Sequence, residues 1–283
     1  MEIKTAKYSG YCFGVKRALK ITEEILKKNP VNKKTKVFTL GSIIHNSGVS
    51  DELEKKGLIS VQELKKIESG SIFIIRSHGM SPNLIKEIKD KNIKIIDATC
   101  PFVKKAQARA GELSKNGYYV IIIGNKKHPE VMGIKDYILN ENYTVIEDEV
   151  DVERLPEREK IGVVVQTTQT MERLILISGK LLKKTKELLV CNTICNTTRN
   201  RQNSTEELAK NVDTMIIVGG KNSANTRNLT SISKEFNKKT YHIESYREIK
   251  PEWFKNAKKV GISGGASTPV EDIIDVKKAI EKL

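Results

Sequence analysis

Three cysteines with the same local context, Cys12, Cys100 and Cys195, carry the clearest chemical pattern in this sequence. Cys100 follows an apolar run and precedes Pro101, which suits the first position of a helix because no backbone N–H is needed there. We therefore predict that Cys100 caps a helix. The positive end of the helix dipole favours a thiolate at such a position, and the thiolate is the form of cysteine that binds metals.

The context of Cys100 occurs twice more. A basic residue stands four positions after each of the three cysteines, namely Lys16, Lys104 and Arg199. The spacings from Cys12 to Cys100, from Cys100 to Cys195 and from Cys195 to the last residue are also nearly equal, at 88, 95 and 88 positions. We interpret the chain as three repeats of one unit, each of which presents a thiolate at the start of a helix.

Strand-like and helix-like segments alternate along the whole chain, which predicts parallel sheets joined by right-handed helical crossovers. The predicted strands are 1–7, 36–40, 58–61, 71–75, 93–96, 118–123, 143–146, 161–165, 188–190, 214–218, 240–243 and 259–262. The predicted helices are 15–28, 49–56, 82–90, 102–115, 130–139, 171–186, 198–210, one ending near residue 236, and 269–282.

This alternation predicts an α/β fold of three small domains, residues 1–97, 98–192 and 193–283. The third domain lacks a fourth strand of its own. We expect the N-terminal segment, within residues 1–10, to pair with the third domain and to supply that strand.

Polar residues cluster in the loops that follow the predicted strands, where parallel sheets bind their ligands. Glycines and helix starts in these loops offer backbone N–H groups, which suit a diphosphate. Each residue alone could equally be an ordinary helix cap or core residue, so the joint pattern carries the prediction. His242 lies within a strand and is predicted to be structural. The loop residues are His45, His78, His128, Glu130, Thr167, Thr168, Ser223, Asn225 and Ser267.

The three repeated cysteines allow several interpretations. They could be structural thiols, or zinc ligands together with histidine, although no Cys-x-x-Cys pair is present. An iron–sulfur cluster fits best, because three thiolates leave one iron open to a substrate. Cys191 is predicted to be a core residue, with a role as a fourth ligand as the alternative.

Composition limits the other function classes. The chain has 283 residues and a net charge of +15, but its lysines are spread in pairs, which favours a solvated surface over nucleic-acid binding. No apolar run approaches the roughly 20 residues of a membrane span. Four cysteines in a chain of this length do not form a disulfide framework, so we expect a reducing cytoplasm.

Eight motifs, in order along the whole chain, resemble those of the 4-hydroxy-3-methylbut-2-enyl diphosphate reductase family, also called IspH or LytB. The set is highly specific because it includes every cysteine and pocket motif of that family. The motifs are Tyr11–Val15, Ile44–Asn46, Arg76–Gly79, Asp97–Pro101, His128–Glu130, Gln166–Thr168, Thr193–Cys195 and Lys221–Ser223.

The resemblance implies three α/β domains in a pseudo-threefold trefoil around a central [4Fe–4S] cluster. It implies the two-electron reduction of (E)-4-hydroxy-3-methylbut-2-enyl diphosphate to isopentenyl and dimethylallyl diphosphate, with the hydroxyl lost as water. This reaction is the last step of the methylerythritol phosphate route to isoprenoids. A ferredoxin or flavodoxin is the implied electron donor, and neither nucleic acid nor a membrane is an expected partner.

Residue by residue, the resemblance assigns Cys12, Cys100 and Cys195 to the cluster. It assigns Glu130 as the proton source, with Thr168 and His128 assisting. Ala224 stands where the family's phosphate loop is expected to have a second serine. Its backbone N–H can still bind the phosphate, so we expect weaker or rearranged contact and not a loss of function. The implied substrate-binding residues are His45, His78, His128, Thr167, Thr168, Ser223, Ala224, Asn225 and Ser267.

Two other function classes remain at this point. Quinolinate synthase is also a three-domain, three-cysteine enzyme, but its site must bind carboxylates, whereas the histidine, serine and asparagine set here suits a diphosphate. A nucleic-acid-associated protein would explain the net charge of +15 and would bind DNA with a steep salt dependence.

Overall fold

The computed structural model describes residues 1–31 and 35–283. Within these residues the strands form three four-stranded parallel sheets flanked by helices, so the predicted α/β class is confirmed. The described chain separates into two compact units. The first unit comprises residues 1–16, 45–49 and 196–283, and the second unit comprises residues 17–44 and 50–195. The division into three domains stays a prediction.

The N-terminal half contains the first complete sheet. Its strand order is β3-β2-β4-β5 and all its pairs are parallel. Its central strand β4 is buried along its whole length, as expected where helices cover both faces of a parallel sheet. The elements are β1 (Glu2–Thr5), α1 (Phe13–Lys28), β2 (Val37–Leu40), α2 (Ser47–Lys55), β3 (Leu58–Val61), β4 (Ile72–Ile75), α3 (Pro82–Lys89) and β5 (Lys94–Asp97).

The middle of the chain forms the second sheet, with the order β7-β6-β8-β9. The apolar residues of its two central strands, β6 and β8, are almost all fully buried. The elements are α4 (Pro101–Lys115), β6 (Tyr119–Ile123), α5 (Pro129–Lys135), β7 (Tyr143–Ile146), β8 (Arg158–Val165), α6 (Met171–Leu181) and β9 (Thr185–Val190).

Two predicted helices in this part are too long. The helix predicted over 171–186 ends at Leu181, and a 3-10 turn over Leu182–Lys184 leads into strand β9. The lysine-rich sequence is compatible with a helix, but Thr185 pairs with Arg158 and extends the ladder between β9 and β8. The helix predicted over 130–139 ends at Lys135.

The C-terminal part forms the third sheet, with the order β1-β12-β10-β11. Strand β1 pairs with β12 in parallel, from Glu2 opposite Lys259 to Thr5 opposite Ile262, as expected for the N-terminal segment. No described helix is both long and apolar enough to cross a membrane. The elements are α7 (Asn196–Lys210), β10 (Thr214–Val218), α8 (Ala224–Phe236), β11 (Thr240–Ile243), β12 (Lys259–Gly264) and α9 (Val270–Glu281).

Candidate active site

Each of the three repeated cysteines is anchored by the same backbone hydrogen bond. The N–H of Cys12 donates to the carbonyl of Ala266, that of Cys100 to Ser77, and that of Cys195 to Thr167, each at 3.0 Å. Every acceptor lies two residues beyond the end of a strand, which is β12, β4 or β8 respectively. The threefold repeat inferred from the sequence is therefore present in the local geometry of each cysteine.

Each cysteine also directly precedes a helix. Cys100 is the N-cap of α4, with Pro101 in the first turn, and Cys12 and Cys195 immediately precede α1 and α7. The sulfur of Cys12 accepts a hydrogen bond from the N–H of Val15 at 3.4 Å. Helix N-termini and N–H donors stabilise the thiolate form of cysteine. None of the four cysteines in the described residues forms a disulfide. This set of soft donors fits an iron–sulfur centre.

Cys191 has a different environment. It directly follows β9, its N–H donates to the carbonyl of Val163 at 2.8 Å, and its side chain packs against the cluster of apolar residues around α4 and β6. Burial raises the pKa of the Cys191 thiol. Cys191 is only half-buried, so it lies at the edge of the apolar core, where a neutral thiol suits the core role predicted for it.

The second unit places Glu130 in a buried hydrogen-bonded position in the first turn of α5, where it is only 2% exposed. The backbone N–H of Thr167 donates to Oε1 at 2.6 Å, and the Thr167 hydroxyl donates to Oε2 at 3.0 Å. Burial raises the pKa of Glu130 to about 7, although the two hydrogen bonds from Thr167 lower it. The carboxyl group can therefore hold or release a proton near neutral pH.

His128 is the N-cap of α5 and fixes the start of the helix that carries Glu130. Its Nδ1 accepts the N–H of Glu130 at 3.1 Å, so a neutral His128 ring carries its proton on Nε2. The ring of His78 meets that of His128 edge to face, with centroids 5.5 Å apart. The second unit thus brings together four predicted site residues: His78, His128, Glu130 and Thr167.

Gln166 is a residue whose individual role sequence reasoning missed, although it lies within the Gln166–Thr168 motif. Its Nε2 donates to the Thr168 hydroxyl at 3.1 Å, and its Oε1 accepts the N–H of Asn125 at 3.0 Å. One buried amide therefore joins the loop after β6 to the loop after β8. Two sequence signals pointed to it, namely its position directly after an apolar strand and its place in that motif.

The first unit gathers the remaining predicted substrate-binding residues. Ser223 is the N-cap of α8, where its hydroxyl accepts the N–H of Thr226 at 3.3 Å. Asn225 follows in the first turn and is 3% exposed, yet neither its Oδ1 nor its Nδ2 has a hydrogen-bond partner among residues 1–31 and 35–283. A helix start with an unpaired buried amide is suited to an anion.

A second contact in the first unit joins His45 to Ser267, whose hydroxyl donates to the His45 carbonyl at 3.0 Å. Gly220 lies close to the same carbonyl. A Cβ built on Gly220 would be 3.1 Å from the His45 carbonyl oxygen. His45, Ser267 and the loop before α8 are therefore neighbours. Ala224 is the first residue of α8 and is 8% exposed, and its role in binding stays a prediction.

Close backbone packing shapes this loop. Gly219 has φ +141°, and a Cβ there would clash with the hydroxyl of Thr268. The Nε2–H of His242 donates to the Gly219 carbonyl at 2.7 Å, which agrees with the structural role predicted for His242. Thr226 and Thr268 line this turn and were not recognised in the sequence, where Thr226 resembles an ordinary helix residue and Thr268 directly precedes the predicted helix over 269–282.

Comparison with known proteins gives a consistent result. The family model described as LytB protein matches residues 3–281. The 4-hydroxy-3-methylbut-2-enyl diphosphate reductase of Aquifex aeolicus is 45% identical over 285 aligned residues, covering 100% of this chain and 97% of that protein. The protein of the same name from Geobacter sp. strain M21 is 42% identical and is covered over 99% of its length.

Solved structures agree. A structure described as (E)-4-hydroxy-3-methyl-but-2-enyl diphosphate reductase, the terminal enzyme of the non-mevalonate pathway, is 44% identical and matches over 100% of both chains with a TM-score of 0.72. The Plasmodium falciparum E-1-hydroxy-2-methyl-but-2-enyl-4-diphosphate reductase is 31% identical and matches with a TM-score of 0.91, covering 100% of this chain and 87% of that one. This chain belongs to the LytB family.

Proposed function

We propose that this protein reduces (E)-4-hydroxy-3-methylbut-2-enyl diphosphate to isopentenyl and dimethylallyl diphosphate, as the last step of the methylerythritol phosphate pathway. The reaction consumes two electrons and two protons, breaks the carbon–oxygen bond of the allylic alcohol and releases water. In a chain of this family, the single observation that carries the proposal is Glu130, a buried carboxyl group whose pKa of about 7 suits proton donation to a hydroxyl.

Cys12, Cys100 and Cys195 would hold a [4Fe–4S] cluster. Support comes from their shared anchoring at helix starts and from the hydrogen bond that the Cys12 sulfur accepts. When bound, such a cluster supplies electrons and a Lewis acid for the substrate hydroxyl.

Glu130 would deliver the proton that turns the departing hydroxyl into water. Hydroxide is a poor leaving group, so protonation of the oxygen lowers the barrier. The Thr167 hydrogen bonds fix both carboxyl oxygens, so the acid is oriented before the substrate arrives. Thr168, held by Gln166, would orient the substrate hydroxyl, and the Nε2–H of His128 would assist.

The diphosphate would be bound by His45, His78, Ser223, Asn225 and Ser267, with the backbone N–H of Ala224. The unpaired amide of Asn225 and the N-terminus of α8 support this assignment, because both favour a negatively charged oxygen. Thr167 would line the same pocket.

Several further features belong to the same proposal. A ferredoxin or flavodoxin would deliver electrons, and the net charge of +15 would steer an acidic protein of that kind. The thiols suit a reducing cytoplasm. Residues 1–97, 98–192 and 193–283 would act as three domains, each of which contributes one cysteine to the cluster.

The decisive test is anaerobic turnover of the hydroxy-diphosphate with a chemical reductant, alongside iron and acid-labile sulfide assays. We expect both diphosphate products and an iron content that depends on Cys12, Cys100 and Cys195. Stoichiometric zinc without iron, or iron without turnover of this substrate, would contradict the proposal.

A further inference from the structure

A buried arginine interrupts the threefold repeat. The sixth residue after Cys12 and after Cys100 is alanine, Ala18 and Ala106, and both are fully buried. The sixth residue after Cys195 is Arg201, which is only 4% exposed. Removing a guanidinium from water is costly unless several strong hydrogen bonds offset that cost. A buried arginine at a position that holds alanine in the other two repeats therefore indicates a specific structural role.

The contacts of Arg201 identify that task. Its Nη1 donates to the carbonyl of Gly264 and its Nη2 donates to the carbonyl of Gly10, each at 2.7 Å. Gly264 is the last residue of β12, and Gly10 lies two residues before Cys12. The planar guanidinium thus links helix α7 to the strand end and to the segment that leads into Cys12.

The other two repeats make the corresponding link without an arginine. Before Cys100, the N–H of Ala98 donates to the carbonyl of Ile75, the last residue of β4, at 3.0 Å. Before Cys195, the hydroxyl of Thr193 donates to the carbonyl of Val165, the last residue of β8, at 2.5 Å. In each repeat, the residue two positions before the cysteine is tied to the end of the strand whose following loop anchors that cysteine.

Gly10 differs from these two residues. It has φ +83°, and a Cβ there would lie 2.9 Å from Val270, so no residue with a hydroxyl side chain fits. Arg201 instead bridges two carbonyls, those of Gly10 and Gly264, which cannot bond to each other because both are acceptors.

We propose that Arg201 is the positioning residue of Cys12. By fixing the Gly10 carbonyl to the end of β12, it holds the loop in which the N–H of Cys12 bonds to Ala266. Loss of the guanidinium leaves two carbonyls without their charged donor and releases the segment before Cys12. The thiol then samples other orientations, while Cys100 keeps its own local link. The consequence for a bound cluster rests on the proposed function, but the effect on the Cys12 thiol does not.

The first experiment measures the alkylation rate of each cysteine by iodoacetamide in the full chain after anaerobic removal of iron, with the modified sites resolved by mass spectrometry. In Arg201→Gln we expect Cys12 to react at least about threefold faster than in the wild type, because its loop opens locally, while Cys100 keeps its rate. Arg201→Lys keeps the charge but lacks the planar fork that spans the two carbonyls, so we expect an intermediate rate. Arg199→Gln removes an exposed charge from the same helix and is the matched control.

The second experiment follows iron release to a chelator from the anaerobically purified holoprotein. Removal of an orienting partner of a metal ligand typically weakens metal retention about 10- to 100-fold, and we expect Arg201→Gln to lose iron faster by a factor in this range than Arg199→Gln. Equal Cys12 alkylation in wild type and Arg201→Gln, or equal acceleration at all four cysteines, would overturn the proposal. A wild type that holds no iron would contradict the proposed function and leave the alkylation result standing.

Discussion

The second unit, which carries the proposed acid site, and the first unit, which carries the proposed anion site, differ in how their buried polar groups are hydrogen-bonded. Glu130 and Asn225 are buried to nearly the same extent, at 2% and 3% exposed. Both carboxyl oxygens of Glu130 accept hydrogen bonds from Thr167, whereas both amide atoms of Asn225 lack a partner within the described residues. The acid is therefore held in place by the protein, while the amide is available for a ligand.

This difference has an energetic consequence. A buried polar group without a hydrogen bond costs about 1–3 kcal/mol, so the unpaired amide of Asn225 lowers stability, and an anion bound at the proposed site would offset that cost. The acid site lowers stability only when Glu130 is ionised, because burial disfavours the charge. Substitutions at the two sites should therefore change activity and stability in different combinations.

Glu130→Gln should have the largest effect on activity. Glutamine keeps the size and the acceptor of the carboxyl group but cannot donate the catalytic proton, so we expect turnover to fall about 10²- to 10⁴-fold. Substrate binding should persist because the anion site is untouched, and binding of the hydroxy-diphosphate can be measured in the anaerobic holoprotein. Glu112→Gln, at an exposed residue that pairs with Arg109, is the control. Full activity of Glu130→Gln would exclude Glu130 as the acid.

The same variant should change how stability depends on pH. Because the folded pKa of Glu130 is raised to about 7 from 4.5, the folded state binds more protons than the unfolded state between these values. The contribution of Glu130 to the free energy of unfolding therefore falls by about 3 kcal/mol as pH rises from 4.5 to 7, and it stays low above pH 7. We expect Glu130→Gln to raise the free energy of unfolding relative to wild type at pH 8 but not at pH 4.5, as measured by urea denaturation. An equal difference at both pH values would argue against a protonated Glu130.

Asn225→Ala should weaken substrate binding without lowering the stability of the protein. Each lost hydrogen bond to a charged phosphate oxygen weakens binding by about 1.5–3 kcal/mol, or about 10- to 100-fold, so we expect KM for the substrate to rise with kcat less affected. Stability should be unchanged or higher, since the amide has no partner to lose.

Asn237→Ala, at the other end of α8, is the control for Asn225→Ala. The Asn237 amide donates to the Val212 carbonyl at 2.8 Å and accepts the N–H of Lys239 at 2.9 Å. We expect it to lower the melting temperature and leave KM unchanged. A stability loss in Asn225→Ala as large as that in Asn237→Ala would show that Asn225 is an ordinary structural residue.

The sequence was sufficient for the features that depend on local patterns. Apolar runs predict the buried strands, and the cysteine–helix pattern predicts the helix starts that follow Cys12, Cys100 and Cys195. The sequence was insufficient for features that depend on contacts between segments far apart in the chain. The end of α6 depends on the pairing of β9 with β8, and the role of Arg201 depends on Gly10, which is 191 residues away in the chain.

Thr167→Val tests how much the Thr167 hydroxyl lowers the pKa of Glu130. Valine retains the backbone N–H bond to Oε1 but removes the hydroxyl bond to Oε2, which lowers the pKa of Glu130 in the wild type. The pKa should therefore rise further, and the fall in activity on the alkaline side of the pH–rate profile should move to higher pH. We also expect a loss of stability of about 1 kcal/mol, typical of one hydrogen bond. A profile identical to that of the wild type would show that the hydroxyl does not tune the acid.

Ala224→Ser should have the smallest effect, and it would increase function. Ala224 is the first residue of α8, between Ser223 and the unpaired amide of Asn225. A hydroxyl there would add one donor to the proposed anion site. A hydrogen bond to a charged phosphate oxygen contributes about 1.5–3 kcal/mol, but ordering the new side chain on binding costs about 0.5–1.5 kcal/mol, so the net gain should be smaller than the loss in Asn225→Ala. We therefore expect KM for the diphosphate substrate and the inhibition constant of inorganic pyrophosphate to fall by the same factor, with kcat and the alkaline fall in rate unchanged. In the Asn225→Ala background the gain should be smaller if the two side chains share one phosphate oxygen. A change in kcat without a change in pyrophosphate affinity would mean that position 224 acts on the acid site and not on the anion site.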